Sequence, residues 1–410
     1  MDDLRTAVAP FDVQAPLAGA PEPWDSLPMP EVRPAPPWAM AEMIAAEPAL
    51  VGRVVQRVVS DGSAAALAAA VRDAAAGSVP VIVTGCGTSE HAAMGVAAIL
   101  RDAWRAAGLP GWGPVSEQAF ELALDPPAAG LVIGVSHEGG SAATIAALEA
   151  ARAGGARTAV LTASAGSPAA AAGDTAVATV EMDQSWCHTV GYVSPMAAAA
   201  AVAALLSSTT PDADAVSARM HQGIDAAWRG GQESPASSIG RAIGEAAHVL
   251  VVASGVDRIT ARELVLKIEE ASYVPAAARD LETFLHGHLP ATGESTALVL
   301  VLTDRAAVDA RATRARQVLA AAAATGIRAG AILGAAAADL IPDDLTPGGR
   351  IVIPDTPELS AAASSLFGGA GPLQLVTLAT AATRGTNPDP IRRDDPVYLR
   401  AAELGDDLST

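Results

Sequence analysis

Val79-Pro80-Val81-Ile82-Val83-Thr84-Gly85-Cys86-Gly87-Thr88-Ser89 is a β-branched run that ends in two glycines and two hydroxyl residues. Directly after it, Glu90–Ala107 carries apolar residues at helical spacing. Strand, Gly-rich turn and helix make the first unit of an open parallel sheet. In such sheets ligands bind beyond the carboxyl ends of the strands. The unit recurs downstream: Gly130–Val135 reads as a strand, Ser141–Ala153 as a helix and Thr158–Thr162 as a strand. Ala39–Val59, Ala64–Ala75, Met196–Ser207 and Asp212–Trp228 read as helices. This alternation predicts an α/β fold built on a doubly wound parallel sheet.

The pattern then restarts. Val249–Ala253, Ala297–Thr303 and Arg328–Leu333 read as strands, and Thr260–Ser272 and Ala306–Ala324 as helices. The offset between successive strands is about the same in both halves, which implies an internal duplication. Four segments follow: a flexible Pro-rich arm over 1–38, a first domain over 39–215, a second over 216–384 and a polar tail over 385–410. Leu373–Thr383 is the last helix expected before the tail.

The 410 residues are enough for two domains. Half are hydrophobic and only 3% are aromatic, so the core must be built from Ala, Val, Leu and Ile. The net charge of −19 argues against a nucleic-acid partner. It also requires that any anionic substrate be held by local dipoles against the global field. Cys86 and Cys187 form no CxxC pair, so neither a disulfide framework nor a metal site is expected. Met1–Val13 has no apolar core of a signal peptide, and Met196–Leu206 is too short to span a bilayer. A cytoplasmic protein with no membrane partner is the expectation.

Five segments carry candidate chemistry. In the first loop, Cys86, Gly87, Thr88 and Ser89 combine close backbone approach with hydroxyls at a helix N-terminus. That suits an anion or sugar hydroxyls, and equally an ordinary N-cap. The second loop, Ser136-His137-Glu138-Gly139-Gly140-Ser141, with Thr144 one turn into the helix, has the same design. On the predicted helix near 263–272, Glu263, Lys267 and Glu270 lie at i, i+4 and i+7, one face, which in isolation reads as a solvated salt-bridged surface. Leu281–His288 places His286 beside Gly287, where a structural histidine is the simpler reading. Gln184–Pro195 gathers Trp186, Cys187, His188, Thr189 and Tyr192 in a chain poor in such residues, suggesting a pocket wall.

Together these segments resemble the sugar-isomerase (SIS) family, in particular the isomerase half of glucosamine-6-phosphate synthase and related deaminases and deglycases. The resemblance runs from about Met40 to Asp395. It implies two doubly wound SIS domains in tandem with a C-terminal tail over the active site. Gly85-Cys86-Gly87-Thr88-Ser89 is similar to the family's first phosphate-side loop, and Lys267-x-x-Glu270-x-Ser272-Tyr273 to its catalytic helix. His286-Gly287 resembles the ring-opening loop, and Asn387-Pro388-Asp389 with Arg392 the tail. The resemblance implies Glu270 as general base, His286 as acid/base supplied by a neighbouring subunit, and Lys267 beside them, hence a homodimer. Cys86, Gly87, Thr88, Ser89, Ser136, His137, Glu138, Ser141, Thr144 and His188 would bind substrate. No cofactor is implied. The expected reaction is C1/C2 proton transfer on an amino-sugar or ketosamine, phosphorylated or not, as isomerase, deaminase or deglycase. The alternative is a non-catalytic sugar-phosphate-binding regulator.

Three features depart from the family pattern. Nothing before Trp38 resembles a glutaminase half, and residue 2 is Asp2, so nitrogen from glutamine is not expected. The tail lysine has no counterpart, since Lys267 is the only lysine in the chain. Glu138 stands where a phosphate-binding serine is expected.

Overall fold

The computed structural model describes residues 4–26 and 28–406. Its described strands form two five-stranded sheets, parallel throughout. The first contains β1 (Val81–Gly85), β2 (Val115–Gln118), β3 (Leu131–Val135), β4 (Arg157–Thr162) and β5 (Thr175–Ala178) in the order β2-β1-β3-β4-β5. The second contains β6 (His248–Ala253), β7 (Ala276–Asp280), β8 (Thr296–Leu302), β9 (Arg328–Gly334) and β10 (Arg350–Ile353) in the order β10-β9-β8-β6-β7. Read from the other edge, the second order is that of the first, so the duplication expected from the sequence is present in the topology. Central strands β3 and β8 are buried along their whole length, which fits their continuous apolar sequences.

The sequence reading found the three inner strands of each sheet and missed both outer strands. The missed β2, β5, β7 and β10 have four or five residues each. In β2 and β7 no residue is fully buried, so neither strand needs the apolar run by which inner strands are recognised. The helix expected over Leu373–Thr383 spans Ala361–Arg384. Gly368, Gly369, Gly371 and Pro372 disguise its first half. Those small residues are needed because the helix Ala213–Trp228 crosses there: a Cβ at Gly223 would lie 2.3 Å from Gly368 O. The helix Ala213–Trp228 packs on both Ala39–Ser60 and Ala361–Arg384, so the connection between the domains is itself core.

The segment expected as a flexible arm is docked. Leu4, Val8, Val13 and Leu17 are buried, and Gly19 forms an antiparallel bridge with Glu181. Arg53 clamps Glu181 at 2.7 and 2.8 Å, while Leu17 N–H donates to the same carboxylate at 2.8 Å. The reason is that widely spaced apolar residues can fill a groove without any periodicity. The polar tail likewise contains a helix, Pro396–Asp406. Among the described residues no single helix is long and apolar enough to cross a membrane.

Candidate active site

The helix Asp257–Ser272 packs against Thr88–Ala106 of the first domain. Its Glu263, Lys267 and Glu270 face is therefore not solvated: the side chains are 1, 0 and 20% exposed. The tertiary contact overturns the reading of a surface salt bridge. Lys267 Nζ lies 2.6 Å from Glu270 Oε2 and 3.6 Å from Glu263 Oε1. Thr88 Oγ1 donates to Glu263 Oε1 at 3.3 Å, and His91 Nδ1 lies 2.7 Å from Glu263 Oε2. Burial pushes Glu263 up, but Lys267 and the bonds from His91 and Thr88 pull it below its ordinary value. Burial opposes the Lys267 charge, yet Glu270 and Glu263 raise it above the ordinary lysine range. The ammonium is thus fixed in its charged form, and Glu270 is held through one oxygen while remaining partly open to solvent.

His91 was not anticipated. The sequence shows only that it shares a helix face with Thr88, at i, i+3, and not that this face meets Glu263.

Asp183 organises the segment 184–195. Its Oδ1 accepts from Thr189 N at 2.8 Å and Val190 N at 2.9 Å, and its Oδ2 from Gly191 N at 2.8 Å. It so satisfies the free N–H groups at the start of the helix Val190–Leu206. His188 Nδ1 lies 3.0 Å from Asp183 Oδ2. Burial alone would lower His188, but the Asp183 carboxylate raises it. Burial would raise Asp183, and the charge and hydrogen bond of His188 carry it far below the usual carboxylate range instead. His137 Nε2 accepts from Asp183 N–H at 3.2 Å, and burial lowers its pKa to about 4, so it is neutral. Lys267 and Glu270 act electrostatically on both His188 and Cys187, which places this wall beside the carboxylate cluster.

The two expected loops occupy the ends of β1 and β3, the adjacent strands at which the chain reverses direction across the sheet. Thr84 Oγ1 and Ser136 Oγ are buried there without protein partners. Thr88 and Thr144 are buried, and Cys86 Sγ lies 4.0 Å from Thr144 Oγ1. Burial raises the Cys86 thiol, so it acts as a neutral wall group. Gly87 has φ +57° at the helix N-cap; Ser89 and Ser141 are half-buried. Gly139 has φ +92°, and a Cβ there would sit 2.2 Å from Ser167 Cβ, so only glycine fits. The Glu138 carbonyl accepts from Trp24 Nε1 at 2.9 Å, which ties the N-terminal segment to this loop.

The tail crosses the same region. Asp389 accepts from Ala39 N and Met40 N at 2.9 and 3.0 Å, and its carbonyl accepts from Trp186 N at 2.9 Å. Arg392 lies over Tyr273 and Tyr398 at 4.8 and 3.8 Å, and Arg393 over Trp186 at 5.0 Å. His286 is not part of this cluster. It stands on the surface, 67% exposed, with Nε2 2.7 Å from Glu282 Oε1.

Residues 126–207, which hold the second loop and His188, match the family model described as SIS domain. The chain carries a SIS domain. Its fold is shared over most of the chain by solved structures of low sequence identity. The C-terminal domain of glucosamine-fructose-6-phosphate aminotransferase from Francisella tularensis is similar at 19% identity and TM-score 0.70, covering 87% of this chain and 99% of that one. Tagatose-6-phosphate ketose/aldose isomerase from Escherichia coli is similar at 18% identity and TM-score 0.67, covering 88% and 97%. Glucosamine-6-phosphate deaminase from Thermotoga maritima is similar at 16% identity and TM-score 0.57, covering 76% and 87%. No curated protein matches the chain significantly. The SIS match and these folds agree with the tandem arrangement of two parallel sheets.

Proposed function

We propose that the chain is a sugar-phosphate isomerase-type enzyme that moves a proton between C1 and C2 of an open-chain sugar. The observation that carries this reading is the Glu270–Lys267–Glu263 cluster, buried between the domains with Glu270 alone reaching solvent. A carboxylate can take a proton from one carbon with one oxygen and return it to the next. Lys267 holds Glu270 Oε2, which fixes the carboxylate and leaves Oε1 outside the ion pair. The loop hydroxyls at the ends of β1 and β3 would hold the sugar and its anionic end at helix N-termini. His188, held by Asp183, would bind a sugar hydroxyl. His286, exposed in one chain, would enter the neighbouring subunit's site for ring opening, making the active unit a homodimer. An amino-sugar or ketosamine is the substrate class that we favour, and the similarity to a deaminase and an aminotransferase domain supports it.

Glu270→Gln is the decisive variant. Turnover of an amino-sugar phosphate, assayed by sugar interconversion or ammonia release, should fall by about 10²–10⁴ while binding stays within a few-fold. Undiminished turnover would remove Glu270 from the mechanism. A second reading, a sugar-binding regulator, is favoured by the lack of any lysine in the tail. It predicts ligand binding without turnover in the wild-type chain.

A further inference from the structure

The duplication creates a second place equivalent to the active site. In the first domain the site lies at the ends of β1 and β3 and is closed by the helix Asp257–Ser272 of the second domain. By the same topology the ends of β6 and β8 should be closed by Thr88–Ala106 of the first domain. A cavity of about 540 Å³ lies there, lined by Gly255, Val256 and Asp304 from the strand ends and by Thr88–Ala106.

From that helix Met94, Ala98 and Arg101 line the cavity. No glutamate and no lysine is among its lining residues, so the acid–base set of the first site is not repeated there. Arg105, Arg258 and Arg311 also line the cavity, against the carboxylates of Asp102 and Asp304. Arg311 is paired with Asp304, and Asp102 accepts from Ala362 N. Arg101 donates to the Pro114 carbonyl at 2.9 Å and feels the neighbouring Asp102 charge, while Arg105 is exposed. An adjoining cavity of about 550 Å³ shares Met94 and Arg258 and adds Arg262, Arg279 and Asp280, whose carboxylate lies 3.7 Å from Arg258. In a chain of net charge −19 this is a concentrated positive field. The loop is also preformed, because buried Asp257 accepts from Thr303 N at 2.7 Å and Asp304 N at 2.9 Å.

We propose that this arginine-lined cavity at the carboxyl end of the second sheet is a second, non-catalytic binding site for a monophosphorylated sugar. Arginine forks suit a phosphate, and the remaining volume with Ser116, Asp102 and Asp304 suits a polyol. The anion preference rests on the arginines alone; the sugar class rests on the function proposed for the first site.

The test is titration calorimetry of the full chain with glucose 6-phosphate, inorganic phosphate and glucose. The same titrations are run on an Arg105→Gln/Arg258→Gln double variant. Both arginines are exposed, so the variant should fold, which its melting curve without ligand checks. The expected result is a glucose 6-phosphate site that weakens tenfold or more in the double variant and persists in Glu270→Gln. Identical isotherms for the wild type and the double variant, with or without binding, would overturn the proposal. Inorganic phosphate binding as tightly as glucose 6-phosphate would overturn the sugar assignment. The loss of turnover in Glu270→Gln reports only on the first site, so the two readings fail separately.

Discussion

At the residue scale, Lys267 is held on two sides. Fully buried, it sits between two carboxylates, one of them also buried. Lys267→Met would leave Glu263 without its cation, and removing one partner of a buried pair typically costs about 3–5 kcal/mol. Denaturant titration should show that loss, together with loss of turnover. Asp183 and His188 give a pH signature. The Asp183 stabilisation is complete above the ordinary carboxylate pKa of about 3.9 and is lost as pH falls toward its depressed folded value. The His188 stabilisation is complete below about pH 6.5 and is lost as pH rises through its raised folded value. The stability gap between wild type and His188→Gln should therefore be widest in mild acid and narrow in alkali, as read from denaturation midpoints across pH. A gap independent of pH would remove the Asp183–His188 charge pair. Glu138 tests the phosphate. At about 4 Å and an effective dielectric of about 20, a carboxylate repels a unit negative charge by roughly 4 kcal/mol. If it faces the substrate, Glu138→Ser should raise affinity for hexose 6-phosphates tenfold or more and leave plain sugars unchanged.

At the element scale, the crossing of Ala213–Trp228 with Ala361–Arg384 joins the domains. It depends on residues with no Cβ to spare, Gly223 against Gly368 and Gly371 against Ile224. Gly223→Ala should force the helices apart and cost about 1–3 kcal/mol, the usual range for overpacking. Thermal denaturation checks it. The same helices bring Asp257–Ser272 against Thr88–Ala106, so a shift there would also loosen the Thr88 and His91 contacts to Glu263 and reduce turnover. The outer strands show the converse: being short and partly exposed, they need little apolar sequence, and β-pairing with a neighbour defines them instead.

At the scale of the whole molecule, His286 lies on the surface, paired with Glu282, and the proposed function brings it into the site of a second subunit. Mixing inactive Glu270→Gln with inactive His286→Ala protein should restore part of the activity once subunits have exchanged. Absence of recovery after demonstrated exchange would place the whole site in a single chain. The net charge adds a second test. Repulsion between the protein and an anionic sugar is screened by salt, with a Debye length of about 10 Å at 0.1 M. Raising ionic strength from low values should therefore lower KM for a phosphorylated substrate more than for a neutral one.

The sequence by itself determined the inner strands, the glycine-hydroxyl turns and the duplication, because each is a local pattern of apolar runs and small residues. It also placed Glu263, Lys267 and Glu270 on one helix face, since periodicity fixes spacing. It left open whether that face meets water or protein. Only the tertiary structure decided this, because burial of a helix face depends on which helix lies across it. The docking of the N-terminal segment, the partner of His91 and the role of Asp183 were invisible for the same reason. Each is a contact between segments far apart in the chain, and hydrogen bonds and desolvation act through space rather than along the sequence.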